Sequence, residues 1–302
     1  MKTYRYHTVD VFTSRPFAGN PLAVVPDARG LDGEQMQMLA REFNYSESAF
    51  VLPNAESEET FRVRIFTPTE ELPFAGHPTI GTAFILAATG AMALDREIME
   101  VTFLEGAGRV PVRVEAAQGR PLRAELTAPQ PFSSRPAEVD PGDLAAAIGL
   151  EENDLMGTEE PPLVIGCGLP FLLVPLRGLE AARRAVLHLE VWERRVGIRT
   201  TAGIYLMARE VEGNADVHVR LFAPDVGVSE DPATGSAATA LAGYLAQREH
   251  RVNGNLSWTI EQGLEIGRPS RLEISSDKKD GSILALRCAG ACVRVFDGTF
   301  EI

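Results

Sequence analysis

The sequence predicts an α+β protein of two similar halves, each a curled mixed sheet wrapped around a buried helix. Two observations carry this prediction. One short pattern occurs twice along the chain, and each copy is followed by a glycine that opens a long run of small and apolar residues. Such a run predicts a helix that is enclosed by protein on every side.

The repeated pattern is Arg-x-Phe-x-Pro, at residues 64–68 and again at residues 220–224, a separation of 156. The glycines that follow, Gly76 and Gly235, are separated by 159. A period this long is no solenoid repeat and indicates a duplicated domain. We expect one half over residues 1–120 and the other over 121–285, with 286–302 returning to the first. Related halves usually enclose a cleft, and we expect the site there.

Elements of the first half follow from its hydrophobic pattern. Asp32 predicts the N-cap of a helix that runs through Phe43. Pro78 predicts the first position of the buried helix, because proline is tolerated there. Alternating or short apolar runs predict strands at residues 4–13, 22–25, 49–52, 61–66, 98–104, 110–115 and 122–126.

The second half repeats this arrangement after a proline-rich stretch at residues 128–141, which predicts a linker. Helices are expected between residues 179 and 196, and the second small-residue helix from Pro232 to about residue 247. Strands are expected at residues 171–174, 204–207 and 217–222, with further strands towards the C-terminus.

Composition limits the classes of partner. The chain has 302 residues, which suits two domains, and a net charge of −13. That charge argues against nucleic acid and anionic membranes, since both need a basic surface. Three cysteines fit neither a disulfide framework nor a zinc site, and their scarcity suits the cytoplasm. We find no metal-ligand cluster and no Gly-x-Gly-x-x-Gly fingerprint, so neither a metal nor a nucleotide cofactor is expected.

Both buried helices begin at a glycine-containing turn, around Gly76 and Gly235. A helix N-terminus presents unpaired N–H groups and a partial positive charge, so it can hold a carboxylate or a developing oxyanion. Two such termini could bind an anionic small molecule. The alternative is that both glycines serve tight packing.

Polar residues that the two copies do not share are candidates for chemistry. Glu47 is either an exposed carboxylate at a strand end or a general base in an apolar setting. His77, whose counterpart is Ser236, is either a capping or core histidine or a proton carrier. Asp231 with Pro232 could be simply an N-cap, and Ser236 could be simply solvated.

Three segments together resemble the PhzF family, the phenazine-biosynthesis-like isomerases, over essentially the whole chain. They are residues 9–12 (Val-Asp-Val-Phe) with 17–21 (Phe-Ala-Gly-Asn-Pro), residues 74–81 (Phe-Ala-Gly-His-Pro-Thr-Ile-Gly), and residues 230–237 (Glu-Asp-Pro-Ala-Thr-Gly-Ser-Ala). The resemblance implies the fold of diaminopimelate epimerase and a homodimer.

The resemblance also implies roles. Glu47 falls on the family's catalytic glutamate, Gly76 and His77 on its Gly-His pair, and residues 231–236 on its Asp-Pro-Ala-Thr-Gly-Ser segment. Related epimerases use two cysteines, but here Ala75 and Pro232 stand near those positions, so racemisation by two thiols is disfavoured.

The expected function is cofactor-independent isomerisation, in which a proton moves on a small carboxylic-acid metabolite. Glu47, His77 and Asp231 are the expected catalytic residues, and Gly76, Gly235 and Ser236 are expected to bind the substrate. The alternative is a non-catalytic protein that binds an anionic small molecule. Glu47 favours the isomerase over the binding protein, because a carboxylate that does no chemistry would only repel an anionic ligand.

Overall fold

The chain folds into two compact units, of residues 1–130 with 287–302 and of residues 131–286. This computed structural model describes residues 1–53, 60–196, 201–224 and 228–302. Within these, no helix combines the length and the apolar character that crossing a membrane would need.

In the part of unit 1 that the structure describes, the helices are α1 (Gly33–Phe43) and α2 (Gly76–Ala88). Its described strands are β1 (Thr3–Val11), β2 (Asn20–Val25), β3 (Glu47–Pro53), β4 (Thr60–Phe66), β5 (Glu71–Leu72), β6 (Ile98–Glu105), β7 (Gly108–Ala117), β8 (Arg120–Thr127) and most of β17 (Ser282–Glu301).

The sheet of unit 1 closes on itself. Strands pair in the order β1, β2, β3, β4, β6, β7, β8 and β17, and β17 pairs back with β1. The β2–β3 and β4–β6 pairs are parallel and the others antiparallel. Helix α2 contacts β1, β2, β3, β7 and β8, and 12 of its 13 residues are buried. A helix without charged side chains can be enclosed in this way, since no ion must leave water.

Helix α1 packs outside the strands, with Met36 and Ala40 against Phe50 and Phe66. Its N-cap is Asp32, as predicted: the Gln35 backbone N–H donates to Asp32 and the Asp32 N–H donates back to the Gln35 side chain. These two hydrogen bonds give partners to two backbone N–H groups that have none within the helix.

Unit 2 is likewise built of helices and of strands in parallel and antiparallel pairs. Its described α-helices are α3 (Pro141–Ala147), α4 (Leu179–Arg184), α5 (Leu189–Val191) and α6 (Gly235–Arg248), with a 3₁₀-helix at Glu152–Asp154 and a π-helix at Trp192–Val196. Its described strands are β9 (Ser133–Pro136), β10 (Leu163–Gly166), β11 (Pro170–Pro175), β12 (Ile204–Ala208), β13 (Val217–Ala223), β14 (Val228–Asp231), β15 (Gly254–Gln262) and β16 (Ser270–Lys279).

In unit 2 the β11–β12 and β13–β15 pairs are parallel, and β12–β13 and β15–β16 are antiparallel. Helix α6 contacts β10, β15 and β16, and 12 of its 14 residues are buried. Near its C-terminus Lys278, itself buried, donates to the carbonyls of Ala246 and Glu249. A cation there complements the negative end of the helix dipole.

Three predicted boundaries were wrong. Helix α2 begins at Gly76, so Pro78 is its third residue, which is tolerated because first-turn N–H groups have no partner within the helix. Helix α6 begins at Gly235 rather than at Pro232, since Asp231 ends β14. The predicted linker at residues 128–141 contains strand β9 and the first residue of α3.

Candidate active site

Glu47 lies at the start of β3, beside the parallel strand β2, with Leu22 opposite it in the register. Because parallel neighbours begin at the same edge of a sheet, the first residues of β2 and β3 come close together. The Glu47 side chain is 17% exposed. The interpretation of Glu47 as an exposed strand-end carboxylate is therefore wrong.

His77 is the second residue of α2, and its ring is only 4% exposed. Its Nε2 lies 3.4 Å from Glu47 Oε2, slightly longer than a full hydrogen bond. Burial lowers the pKa of His77 to about 3, so the imidazole is neutral at neutral pH. The N-cap of α2 is Ala75, and the capping interpretation of His77 is therefore wrong.

Gly76 opens α2 next to this pair. Its N-cap, Ala75, makes no side-chain cap hydrogen bond, so that residue does not occupy the backbone N–H groups of the first turn. The N-terminal end of the helix dipole adds a positive potential beside Glu47 and His77.

Asp231, Gly235 and Ser236 lie on one turn in unit 2, between β14 and α6. Asp231 is buried and accepts a hydrogen bond of 2.6 Å from the Thr234 hydroxyl. The N-cap of α6 is Thr234, so Asp231 is not the cap that its position before Pro232 suggested. Ser236 is also buried, and the interpretation as a solvated serine is wrong.

Gln262, at the end of β15, joins both ends of this turn and was not predicted. Its amide nitrogen donates to the Asp231 carbonyl at 2.8 Å, and its amide oxygen accepts from the Thr234 N–H at 3.1 Å. Gln262 is fully buried, so these bonds are shielded from water. Nothing in the sequence around Gln262 signals this contact, because the partners are about 30 residues apart.

The structure thus brings Glu47 to His77 in unit 1, and Asp231 to the first turn of α6 in unit 2. Within the described parts of the chain, no three His, Cys, Asp or Glu side chains are placed to hold a metal ion. Sequence reasoning also missed two residues of unit 1. They are Asn20, which contacts His77 at 3.2 Å, and Glu105.

Glu105 is a buried carboxyl at the end of β6, beside the first turn of α2. Thr79 Oγ1 lies 2.7 Å from Glu105 Oε1 and also 2.7 Å from the Ala75 carbonyl oxygen. One hydroxyl hydrogen cannot fully serve two acceptors, so a protonated Glu105 supplies the second hydrogen. Burial, partly opposed by the Thr79 contact, raises the pKa of Glu105 from its ordinary 4.5 to about 8.

The variant Glu105→Gln tests this protonation state. The pKa of Glu105 is about 8 in the folded protein and 4.5 in the unfolded chain. Protonation of Glu105 therefore stabilises the fold fully below about pH 4.5, and this stabilisation is lost as pH rises through about 8. We expect the melting temperature of the wild type to fall from pH 5 to pH 9, and that of Glu105→Gln to fall less, ending above the wild type at pH 9. Circular dichroism melts measure both. Glu100→Gln on the exposed part of β6 (side chain 77% exposed) is the control, and equal slopes for all three proteins would contradict a protonated Glu105.

The family profile described as "Phenazine biosynthesis-like protein" matches residues 9–298. The chain belongs to the PhzF family. An uncharacterized isomerase of Mesorhizobium japonicum is 38% identical, with all of both chains covered. The trans-2,3-dihydro-3-hydroxyanthranilate isomerase of Pseudomonas aeruginosa is 37% identical, with 95% of each chain covered. These relatives confirm the prediction that the PhzF-family chain is an isomerase.

Solved structures of other proteins are similar to this one over nearly the whole chain. The PhzF-family phenazine biosynthesis protein of Bacillus anthracis has a TM-score of 0.89 at 28% identity and covers all of both chains. A hydroxyproline epimerase of Agrobacterium vitis has a TM-score of 0.68 at 14% identity, with 99% of this chain and 91% of that chain covered. The second likeness shows the fold alone, and it confirms the predicted epimerase-like mixed α and β architecture.

Proposed function

We propose that this PhzF-family protein isomerises a small carboxylic acid by moving a proton between two carbon atoms, with Glu47 as the general base. The carbanion-like intermediate shifts the double bond, so one C–H bond breaks, another forms, and nothing is gained or lost overall. The side chains and backbone of the protein supply the acid–base chemistry without a cofactor.

The observation that carries this proposal is the Glu47–His77 pair at the N-terminus of α2. Glu47 is largely shielded from water, and its carboxylate oxygen Oε2 lies 3.4 Å from His77 Nε2. Its neighbour His77 is neutral, so it does not neutralise the carboxylate by forming an ion pair. We assign His77 the role of a neutral hydrogen-bond donor rather than that of a proton carrier.

We assign substrate binding to the backbone N–H groups at Gly76 and Gly235 and to Ser236. Donors aimed at developing negative charge each contribute about 10²–10³-fold to rate in other enzymes. Asp231 orients the substrate or exchanges a proton with it. The organisation as a duplicated pair of halves, the placement of the site in a cleft, the homodimer and the cytoplasmic location stay predictions.

The substrate class is narrowed by the Pseudomonas aeruginosa relative, whose named substrate is a cyclic carboxylic acid. We therefore propose a cyclic, unsaturated carboxylic acid of similar size. Trans-2,3-dihydro-3-hydroxyanthranilate is the first compound to test, and a panel of related unsaturated acids follows.

Turnover in D₂O tests the proposal. Without added metal or cofactor, the protein should shift the double bond of one acid, with deuterium at the new C–H position, as observed by NMR and mass spectrometry. If the proton is shielded and returned internally, the double-bond shift alone reports the reaction. An acid that raises the melting temperature but is recovered unchanged would favour the alternative of a binding protein, because ligand binding stabilises the folded state without turnover.

A further inference from the structure

Asn20, the first residue of β2, is fully buried and links both members of the proposed catalytic pair. Its Oδ1 accepts a hydrogen bond of 3.1 Å from the hydroxyl of Ser46, the residue directly before Glu47. Its Nδ2 lies 3.2 Å from His77 Nδ1. The other ring nitrogen of His77, Nε2, faces Glu47 Oε2 at 3.4 Å. Polar contacts therefore run from Ser46 through Asn20 to His77, whose other ring nitrogen lies beside Glu47.

The direction of these hydrogen bonds determines where the proton of His77 lies. An amide nitrogen can only donate, so His77 Nδ1 must accept and carries no hydrogen. A neutral imidazole has one N–H, which then lies on Nε2 and points to the Glu47 carboxylate.

The opposite assignment is electrostatically unfavourable. If the Asn20 amide were turned over, its oxygen would face His77 and require a hydrogen on Nδ1. The bare Nε2 would then face a carboxylate oxygen at 3.4 Å, two acceptors in a site where water cannot separate them. The Ser46 hydroxyl can either donate or accept, so it is compatible with both orientations of the Asn20 amide. The orientation is therefore decided by His77 and Glu47.

We propose that Asn20 is a positioning residue that fixes His77 as the Nε2–H tautomer, so that the ring presents its one N–H to Glu47 and orients the carboxylate. This role rests on the proposed function of Glu47 as the general base. An N–H on Nε2, 3.4 Å from Glu47 Oε2, restrains the orientation of this carboxylate, which must be unprotonated to accept a proton from carbon.

A spectroscopic test needs no substrate. The chain has five histidines, and nitrogen-15 labelling of histidine resolves the two ring nitrogens of each neutral side chain. The signal missing from His77→Gln assigns His77. In the wild type at pH 7 we expect a neutral ring with the hydrogen on Nε2. In Asn20→Asp, whose carboxylate can only accept, the hydrogen should move to Nδ1 or the ring should become charged.

A wild-type ring that is charged, or that carries its hydrogen on Nδ1, would overturn the proposal even if every variant misfolded. An unchanged tautomer in a folded Asn20→Asp protein would overturn it as well. Neither result would refute Glu47 as the base, which is judged by turnover, so failure of the positioning role and failure of the proposed function are distinguishable.

The kinetic test uses an acid that the wild type isomerises. Asn20→Asp should lower kcat by about tenfold or more, because a wrongly placed imidazole proton disables catalysis, while KM changes little. Asn253→Asp is the charge-matched control, since that exposed side chain accepts from the Asp280 N–H and keeps this bond as a carboxylate. A kcat for Asn20→Asp equal to that of Asn253→Asp would contradict the positioning role.

Discussion

Glu47→Gln is expected to lower kcat by about 10²–10⁴-fold, the usual contribution of a positioned general base. Glutamine keeps the length of the side chain, and its amide oxygen can still accept from His77 Nε2, 3.4 Å from Glu47 in the wild type. It cannot take up a proton at neutral pH, so the proton-transfer step fails while substrate binding persists. The loss should appear in kcat with little change in KM, as for an interaction made only in the transition state.

Single-turnover rates on an acid that the wild type isomerises measure this loss, with circular dichroism as the check on folding. Glu42→Gln makes the same chemical change at an exposed position near the end of α1 and should behave as the wild type. His77→Ala should cost less than Glu47→Gln, because a positioning donor is more replaceable than the base. A Glu47→Gln protein that keeps more than about a tenth of the rate would remove Glu47 from the general-base role.

Gly19→Ala is expected to destabilise the fold by more than about 4 kcal/mol, the range of exceptional single substitutions. Gly19 has φ +65°, and a Cβ there would lie 2.3 Å from the carbonyl oxygen of Val11. Val11 cannot move away, because it is the last residue of β1 and is paired with Asn20 of β2 and Cys292 of β17.

Gly90→Ala is the matched control for this substitution. Gly90 also has a positive φ, of +77°, but nothing described lies within 4 Å of its Cβ position. It should cost only the left-handed backbone conformation, about 1–2 kcal/mol. Denaturant unfolding of both variants measures the difference, which isolates the clash. Equal losses would mean that backbone conformation alone accounts for Gly19.

The buried helices could be predicted from the sequence because their cause is local. A segment without charged side chains can be buried without removing a charge from water, and α2 and α6 are almost wholly buried. The predicted first residues of both helices were wrong, because the prediction took a proline as the sign of a helix start. The helices begin at Gly76 and Gly235 instead, where backbone geometry decides.

Glu47, His77 and Asp231 were selected because the two copies differ at these positions. The role of Asn20 depends on contacts with residues 26 and 57 positions away, so nothing in the sequence signalled it. Glu105 gave no signal, because a glutamate at a strand end is usually solvated. Its raised pKa follows from its burial beside the first turn of α2, which the fold creates.

Strand β17 has a consequence for the order in which the protein can be completed during synthesis. Residue Glu301 pairs with Thr3, and Ala289 of β17 pairs with Glu125 of β8. Until residues 287–301 have left the ribosome, β1 and β8 each lack a hydrogen-bonding neighbour, and unpaired strand edges invite association with other chains. The sheet of unit 1 can therefore become complete only after residues 131–286 have been made, so its strand edges need protection while unit 2 is translated.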